Sequence, residues 1–309
     1  VANQFLIMLS RAKGVRDIAT RLPMTRSVVD RFVAGETTPQ MVEVCRRLTD
    51  DGLLGTVDYL GEDTADLGQA AAVTWEYVGA LAALAEAGIA DRVEVSLKLS
   101  AIGQFLGRDG EKVALDNARQ ICQAAREAGT TVTLDMEDHT TTDSTLGILR
   151  ELRADFPDTG AVIQAYLRRS EADCRDLTHA GSRVRLCKGA YAEPESVAYP
   201  DERDVELSYV RCLKVLMYGE GYPMVATHSP RLIAVAQDIA QRAGRGNDDF
   251  EFQMLRGVRP NAQTKLAGLG HRMRIYVPYG TDWYGYLVRR MAEKPANLGL
   301  FVRGLVDRN

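Results

Sequence analysis

GLGHRMRIYVPYG, residues 268–280, is where two architectures part. Its glycines look at first like the phosphate-binding turn of an open, doubly wound sheet. That fingerprint needs a third glycine and follows a strand, whereas here the third is missing and the glycines precede the apolar run HRMRIYVPY at 271–279. The run reads instead as the last strand of a series. Moving towards the amino end, the earlier strands are DDFEFQML at 248–255, YPMVATH at 222–228, RVRLCKGAY at 183–191, GAVIQAYL at 160–167, TTVTLDMED at 130–138, RVEVSLKLS at 92–100, and one from residue 54 within LLGTVDYLGED. Between them lie helix-like stretches at 65–88, 110–128, 143–154, from Ser170 to about Gly181, 201–219, 230–243 and 260–268, and a final one follows at 282–293. Eight strands alternating with helices predict an α/β chain folded as a (βα)8 TIM barrel. Residues 4–50 read as helices, among them PQMVEVCRRLTDDG from Pro39, which places an amino-terminal helical segment (1–53) against a barrel (54–309) that ends in a helix over its mouth.

Composition narrows the function classes. The chain has 309 residues, is 46% hydrophobic and carries a formal net charge of −4, as an ordinary globular protein does. No apolar stretch approaches the roughly eighteen residues of a membrane span. The apolar run in VANQFLIMLSRAKG is too short for a secretory signal. The five cysteines, Cys45, Cys122, Cys174, Cys187 and Cys212, form no CxxC pair, which fits a reducing compartment. The mild acidity argues against nucleic acid as a partner. TRSVVDRFVAGETTPQM resembles a helix-turn-helix only in length, because basic residues are not gathered on it.

Barrel chemistry sits at the carboxyl ends of the strands. The polar residues there are Asp58 and Glu62, Lys98, Asp135 and Glu137, Gln164, Arg185 and Lys188, Thr227 and His228, Gln253, Tyr276 and Tyr279. Strand alternation turns Lys98 away from Leu97 and Leu99, and Asp135 away from Leu134 and Met136. Such groups either form a structural ion plug or line an active site, and their presence on most strands favours the site. Arg, Lys and Gln together suit an anionic or carbonyl-rich ligand. His139 and His228 could share the rim with Asp135 and Glu137, but the cations beside them oppose a metal ion. Lys98 as an imine-forming nucleophile is a rival reading.

The helix after the eighth strand adds the strongest local feature, in YLVRRMAEKPAN at 286–297. Arg289 and Arg290 are adjacent, so they point about 100° apart on a helix. Glu293 is three or four residues on, close enough to orient either. Two guanidiniums above a barrel mouth can clamp one small carboxylate; the bland alternative is a solvated helix with an internal Arg–Glu pair.

SLKLSAIG (96–103), TLDMED (133–138), IQAYLRR (163–169), RLCKGAY (185–191), VATH (225–228), FEFQML (250–255), RIYVPYG (274–280) and YLVRRMAEKPAN (286–297) occur in an order that resembles the bacterial monofunctional proline dehydrogenases. FVAGE at 32–36 is similar to that family's amino-terminal region. The resemblance implies a distorted barrel with its last helix over the mouth, noncovalent FAD, and oxidation of L-proline to 1-pyrroline-5-carboxylate. It implies that Arg289 and Arg290 hold the proline carboxylate and that Glu293 orients them. Lys98 and Asp135 would line the substrate pocket, with Leu255, Tyr276 and Tyr286 around the ring and Tyr191 and Ala190 beside it. Gln164 and Arg185 would contact the flavin, Lys188 and the Gly189–Ala190 turn would lie by the cofactor, and Thr227 and His228 would belong to its wall. Tyr276 resembles the proline enzymes rather than their hydroxyproline relatives. A membrane quinone would take the electrons, a separate pyrroline-5-carboxylate dehydrogenase would take the product, and the protein would be cytoplasmic with peripheral association to the inner face of the membrane. Where the family tends to carry Val, this chain has Cys187.

Overall fold

The computed structural model describes residues 29–61 and 64–292, with backbone alone for 288–292. Eight parallel strands close on themselves in sequence order: β1 (Leu54–Tyr59), β2 (Val93–Leu97), β3 (Val132–Leu134), β4 (Gly160–Gln164), β5 (Arg183–Cys187), β6 (Tyr222–Ala226), β7 (Glu251–Leu255) and β8 (Arg272–Tyr279). Closure runs through six paired positions, from Leu54 beside Arg274 to Tyr59 beside Tyr279. The helices are α1 (Thr38–Asp50), then α2 (Leu67–Glu86), α3 (Gly110–Ala128), α4 (Thr142–Asp155), α5 (Ser170–Asp176), α6 (Glu202–Tyr218), α7 (Pro230–Arg242), α8 (Pro260–Gly268) and α9 (Trp283–Ala292). This is the (βα)8 barrel that the alternation predicts.

The apolar core lies between strands and helices, where Val95, Leu97, Val184, Leu186, Phe252 and Ile275 meet Leu81, Leu84, Ile121, Leu152, Leu213 and Ala236. β2 and β4 are buried along their whole length, as strands covered on both faces must be. α1 adds Met41 and Cys45 to that core. Its start is set by Gln40, whose side-chain oxygen accepts the backbone N–H groups of Glu36 at 2.8 Å and Thr37 at 3.2 Å, and by Pro39 in the first turn.

The strands end earlier than their patterns suggest. β2 stops at Leu97 and turns through a 3-10 turn at Leu99–Ile102, rather than running to residue 100. β3 has three residues rather than nine. β4 ends at Gln164 instead of 167, and β5 at Cys187 instead of 191, just before Gly189 at φ +106°. β7 begins at Glu251, because Asp249 closes a turn by accepting the Gly246 N–H at 2.7 Å. At the mouth the backbone leaves the ladder so that its polar side chains converge, and alternation continues in sequence after pairing has ceased.

The segment 29–36 is fastened across one side of the mouth. Ala34 N–H donates to Pro278 O at 2.8 Å, Gly280 N–H to Gly35 O at 3.0 Å, and Trp283 Nε1 to Glu36 Oε1 at 3.1 Å. Arg31 Nε donates to Gly257 O at 2.9 Å, and Arg256 Nη1 to Asp30 O at 2.5 Å. The start of α9 is thereby tied down beside the strand ends. Among the described residues no helix is long and apolar enough to cross a membrane.

Candidate active site

Two layers of charge fill the barrel. The lower one centres on Glu94 of β2. Arg183 Nη2 lies 2.6 Å from its carboxylate, Arg185 Nη2 3.4 Å and Arg274 Nε 3.9 Å, while the Thr56 hydroxyl donates at 2.9 Å. Arg274 also donates to Glu251 at 2.7 Å. Burial by itself would raise the Glu94 carboxyl, but the guanidiniums of Arg183, Arg274 and Arg185 outweigh it and hold the group at about 2.

The upper layer faces the mouth. Arg185 Nη1 donates to Asp135 Oδ1 at 2.6 Å and to the Ser96 hydroxyl at 2.9 Å. The Tyr276 hydroxyl donates to Asp135 Oδ2 at 2.7 Å, and the Arg185 guanidinium carbon sits 5.4 Å from the Tyr276 ring centre. Asp135 is thus gripped from both sides. Burial, then the Asp135 and Asp58 carboxylates, push the Tyr276 hydroxyl well above its ordinary range, so it stays a donor. Lys98, at the exit of β2, pairs with Asp58 Oδ2 at 3.0 Å, and Tyr77 donates to Ser96 O at 2.8 Å behind that pair. An ammonium gripped by a carboxylate is a poor imine-forming nucleophile, which weighs against that role for Lys98.

The remaining predicted residues ring these layers. Gln164 Nε2 donates to Glu137 O at 2.6 Å, and the Glu137 carboxylate accepts from the Ser100 hydroxyl at 2.7 Å. The Thr227 hydroxyl accepts the Ser229 N–H at 3.1 Å. His228 Nε2 accepts the Leu255 N–H at 3.0 Å, joining the ends of β6 and β7. Lys188 lies 3.2 Å from Glu202 and 3.0 Å from Glu206, and Gly189 and Ala190 follow it along the rim. Cys187 is pushed up to about 11 by burial, so its thiol is no nucleophile at neutral pH. Tyr286 is buried on α9. Arg289 and Arg290 lie in that helix, but their side chains, and Glu293 and Glu62 altogether, fall outside the described residues.

Sequence reading named Asp58 without giving it a role, and it missed Glu94, Arg183, Arg274 and Glu251. Strand phase could have found them, since Glu94 and Ser96 share the inward face that leads to Lys98. Among the described residues no cluster of His, Cys, Asp and Glu is placed to hold a metal ion. A cavity of about 480 Å³ opens at the opposite end of the barrel, between the starts of β2, β3 and β5. It lies at the strand entrances, away from the exits where barrel chemistry sits.

Comparison with known proteins agrees with the barrel fold. The family described as "Proline dehydrogenase" matches residues 41–303. "Proline dehydrogenase 1" of Bacillus subtilis is 41% identical over 284 residues, 92% of either chain. "Proline dehydrogenase" of Deinococcus radiodurans is 40% identical over 282 residues, covering 91% of this chain and 90% of that one. Among solved structures, the proline utilization A protein of Bdellovibrio bacteriovorus, "inactivated by N-propargylglycine", superposes with a TM-score of 0.81 at 27% identity, over 92% of this chain. This chain spans only about a third of that much longer protein, 34% of its length. On the family match and these identities, the chain belongs to the proline dehydrogenase family.

Proposed function

We propose that this protein oxidises L-proline to 1-pyrroline-5-carboxylate with FAD, the first step of proline degradation to glutamate. Family membership supports the reaction, and one feature of the mouth supports the cofactor. A flavin's polar edge presents acceptors, so its site must offer buried donors. Arg185 Nε is buried and has no hydrogen-bond partner among the described residues, whereas Nη1 and Nη2 are engaged. The donor set therefore fits the group. Gln164, Arg185, Lys188, Gly189, Ala190, Thr227 and His228 would hold it. When bound, FAD supplies at its N5 the acceptor for the hydride that leaves C5 of proline.

The chain's own residues bind and orient. Arg289 and Arg290 take the substrate carboxylate, with Glu293 aligning them, so that remote binding fixes the reacting carbon. Lys98 and Asp135 line the pocket, and Leu255, Tyr276 and Tyr286 enclose the ring. The Tyr276 ring fills the space that a 4-hydroxyl would need, and an unpaired hydroxyl there would cost binding. The amine must lose its proton before its lone pair can assist hydride departure, and water or the polar network of Lys98, Asp58 and Asp135 carries that proton away. The Arg185 cation would stabilise negative charge on the bound cofactor. A membrane quinone would take the electrons and a separate pyrroline-5-carboxylate dehydrogenase the product, with the protein cytoplasmic and peripherally associated with the inner face of the membrane.

The test is anaerobic addition of L-proline to the purified yellow protein. Bleaching of the flavin band is expected, and a spectrum that does not change, or a protein without flavin, refutes the reading. Arg290→Met is expected to weaken proline binding with the flavin retained; unchanged proline affinity refutes the clamp.

A further inference from the structure

Residues 188–201, between β5 and α6, form no helix and no strand beyond one isolated bridge, yet they are fastened along their length. Long irregular segments of a barrel rim hold one shape only when such ties exist. Tyr166 N–H donates to Lys188 O at 2.9 Å, Arg168 N–H to Val197 O at 2.9 Å and Tyr199 N–H to Tyr166 O at 2.8 Å. The Arg168 guanidinium donates to Glu195 O at 3.1 Å and lies 4.8 Å from the Tyr199 ring centre.

At the middle of this strap is a buried carboxylate. The Glu193 side chain is 3% exposed. It accepts the His139 N–H at 3.0 Å, the Tyr166 hydroxyl at 3.1 Å and a contact from His139 Nδ1. His139 opens the 3-10 turn after β3, and Tyr166 follows β4, so one side chain joins the exits of three strands. A carboxylate removed from water needs such donors. Tyr166 transmits the grip. Its ring lies directly against the bare backbone of Gly189: a Cβ added there would fall 2.3 Å from the ring. Gly189 sits at φ +106°, a conformation set by close approach.

We propose that Glu193 is a positioning residue for the cofactor: by fixing His139 and the Tyr166 hydroxyl it holds the Tyr166 ring against Gly189 and preforms the Gly189–Ala190 turn as a wall for FAD. The proposal rests on the FAD reading given above. Preorganisation of this kind raises affinity for the bound group without touching it.

The experiment compares FAD release from wild-type, Glu193→Ala and Tyr166→Phe holoenzymes, read by the fluorescence of freed flavin at equilibrium. Amide exchange over 188–201 and proline affinity at saturating FAD are measured beside it. Glu193→Ala is expected to hold FAD about tenfold or more weakly, with faster exchange in the strap and proline affinity within about twofold of wild type. Tyr166→Phe is expected to shift FAD affinity in the same direction by about threefold. A folded Glu193→Ala that keeps FAD as tightly as wild type overturns the proposal, even with a lowered melting temperature, since that would be a structural role alone. Should Glu193→Ala not fold, Tyr166→Phe with unchanged FAD affinity overturns it. A wild-type protein that binds no FAD overturns the site reading as well, so the two failures are told apart.

Discussion

Glu94→Gln removes a charge from the barrel with almost no change of shape, and its cost can be worked from the geometry. Arg274 would keep Glu251 at 2.7 Å and Arg185 would keep Asp135 at 2.6 Å. Arg183 would keep no carboxylate among the described residues, and its Nη1 already lacks a hydrogen-bond partner there. Leaving one member of a buried ion cluster unpaired costs about 3–5 kcal/mol. Protonation gives an independent figure: a carboxyl held at about 2 instead of 4.5 corresponds to roughly 3 kcal/mol of stability. Because the folded value is depressed, this contribution is fully present above pH 4.5 and is lost as pH falls towards about 2. Urea unfolding followed by circular dichroism is therefore expected to show a gap of about 3 kcal/mol at pH 7 that narrows below pH 4.5. A gap under about 1 kcal/mol at pH 7, or one that does not narrow in acid, would refute the claim that Glu94 is the anionic centre of the lower layer.

Tyr276→Phe removes the donor 2.7 Å from Asp135 but keeps the ring, so proline binding is expected to weaken by about tenfold while 4-hydroxyproline stays excluded. Steady-state kinetics on both substrates check it, and gain of hydroxyproline oxidation would count against the ring as the excluding element. Gly189→Ala places a methyl group 2.3 Å from the Tyr166 ring at φ +106°, so a melting temperature lowered by several degrees and a lower flavin content are expected, about 1–3 kcal/mol of strain. Cys187→Val is expected to leave stability within about 1.5 kcal/mol of wild type and to preserve turnover, because the residue is half-buried and desolvation pushes its thiol up to about 11. Loss of turnover in a well-folded Cys187→Val would reveal chemistry at that sulfur.

The order and phase of the strands were readable because burial on both faces leaves apolar runs such as GAVI in β4. Their carboxyl ends were not. DMED after β3 and KGAY after β5 still alternate or stay apolar, so pattern alone extends them, while the chain turns away at Asp135 and Gly189 to bring side chains together over the mouth. Much the same holds for the site. Lys98, Asp135, Arg185 and Tyr276 stood out as polar residues in strand-like surroundings, and the structure joins Arg185, Asp135 and Tyr276 into one chain of hydrogen bonds. Asp58 as the partner of Lys98 depends on β1 lying beside β2, a pairing that no local pattern encodes. Glu193 was harder still, since a glutamate in a loop looks solvated until Tyr166 and His139 are seen around it.

The partners of Glu94 come from strands far apart in the chain, Arg183 and Arg185 from the fifth and Arg274 from the eighth. On the ribosome, which proceeds from the amino end, the glutamate emerges long before the last of its guanidiniums. Until then a nascent half-barrel carries an anion with an incomplete retinue and a first strand waiting for the eighth. Contacts between such distant residues slow folding. Within the cell the interval between these two strands is therefore a natural place for a chaperone to be needed, and a stop codon inserted between them should yield aggregation rather than a stable fragment.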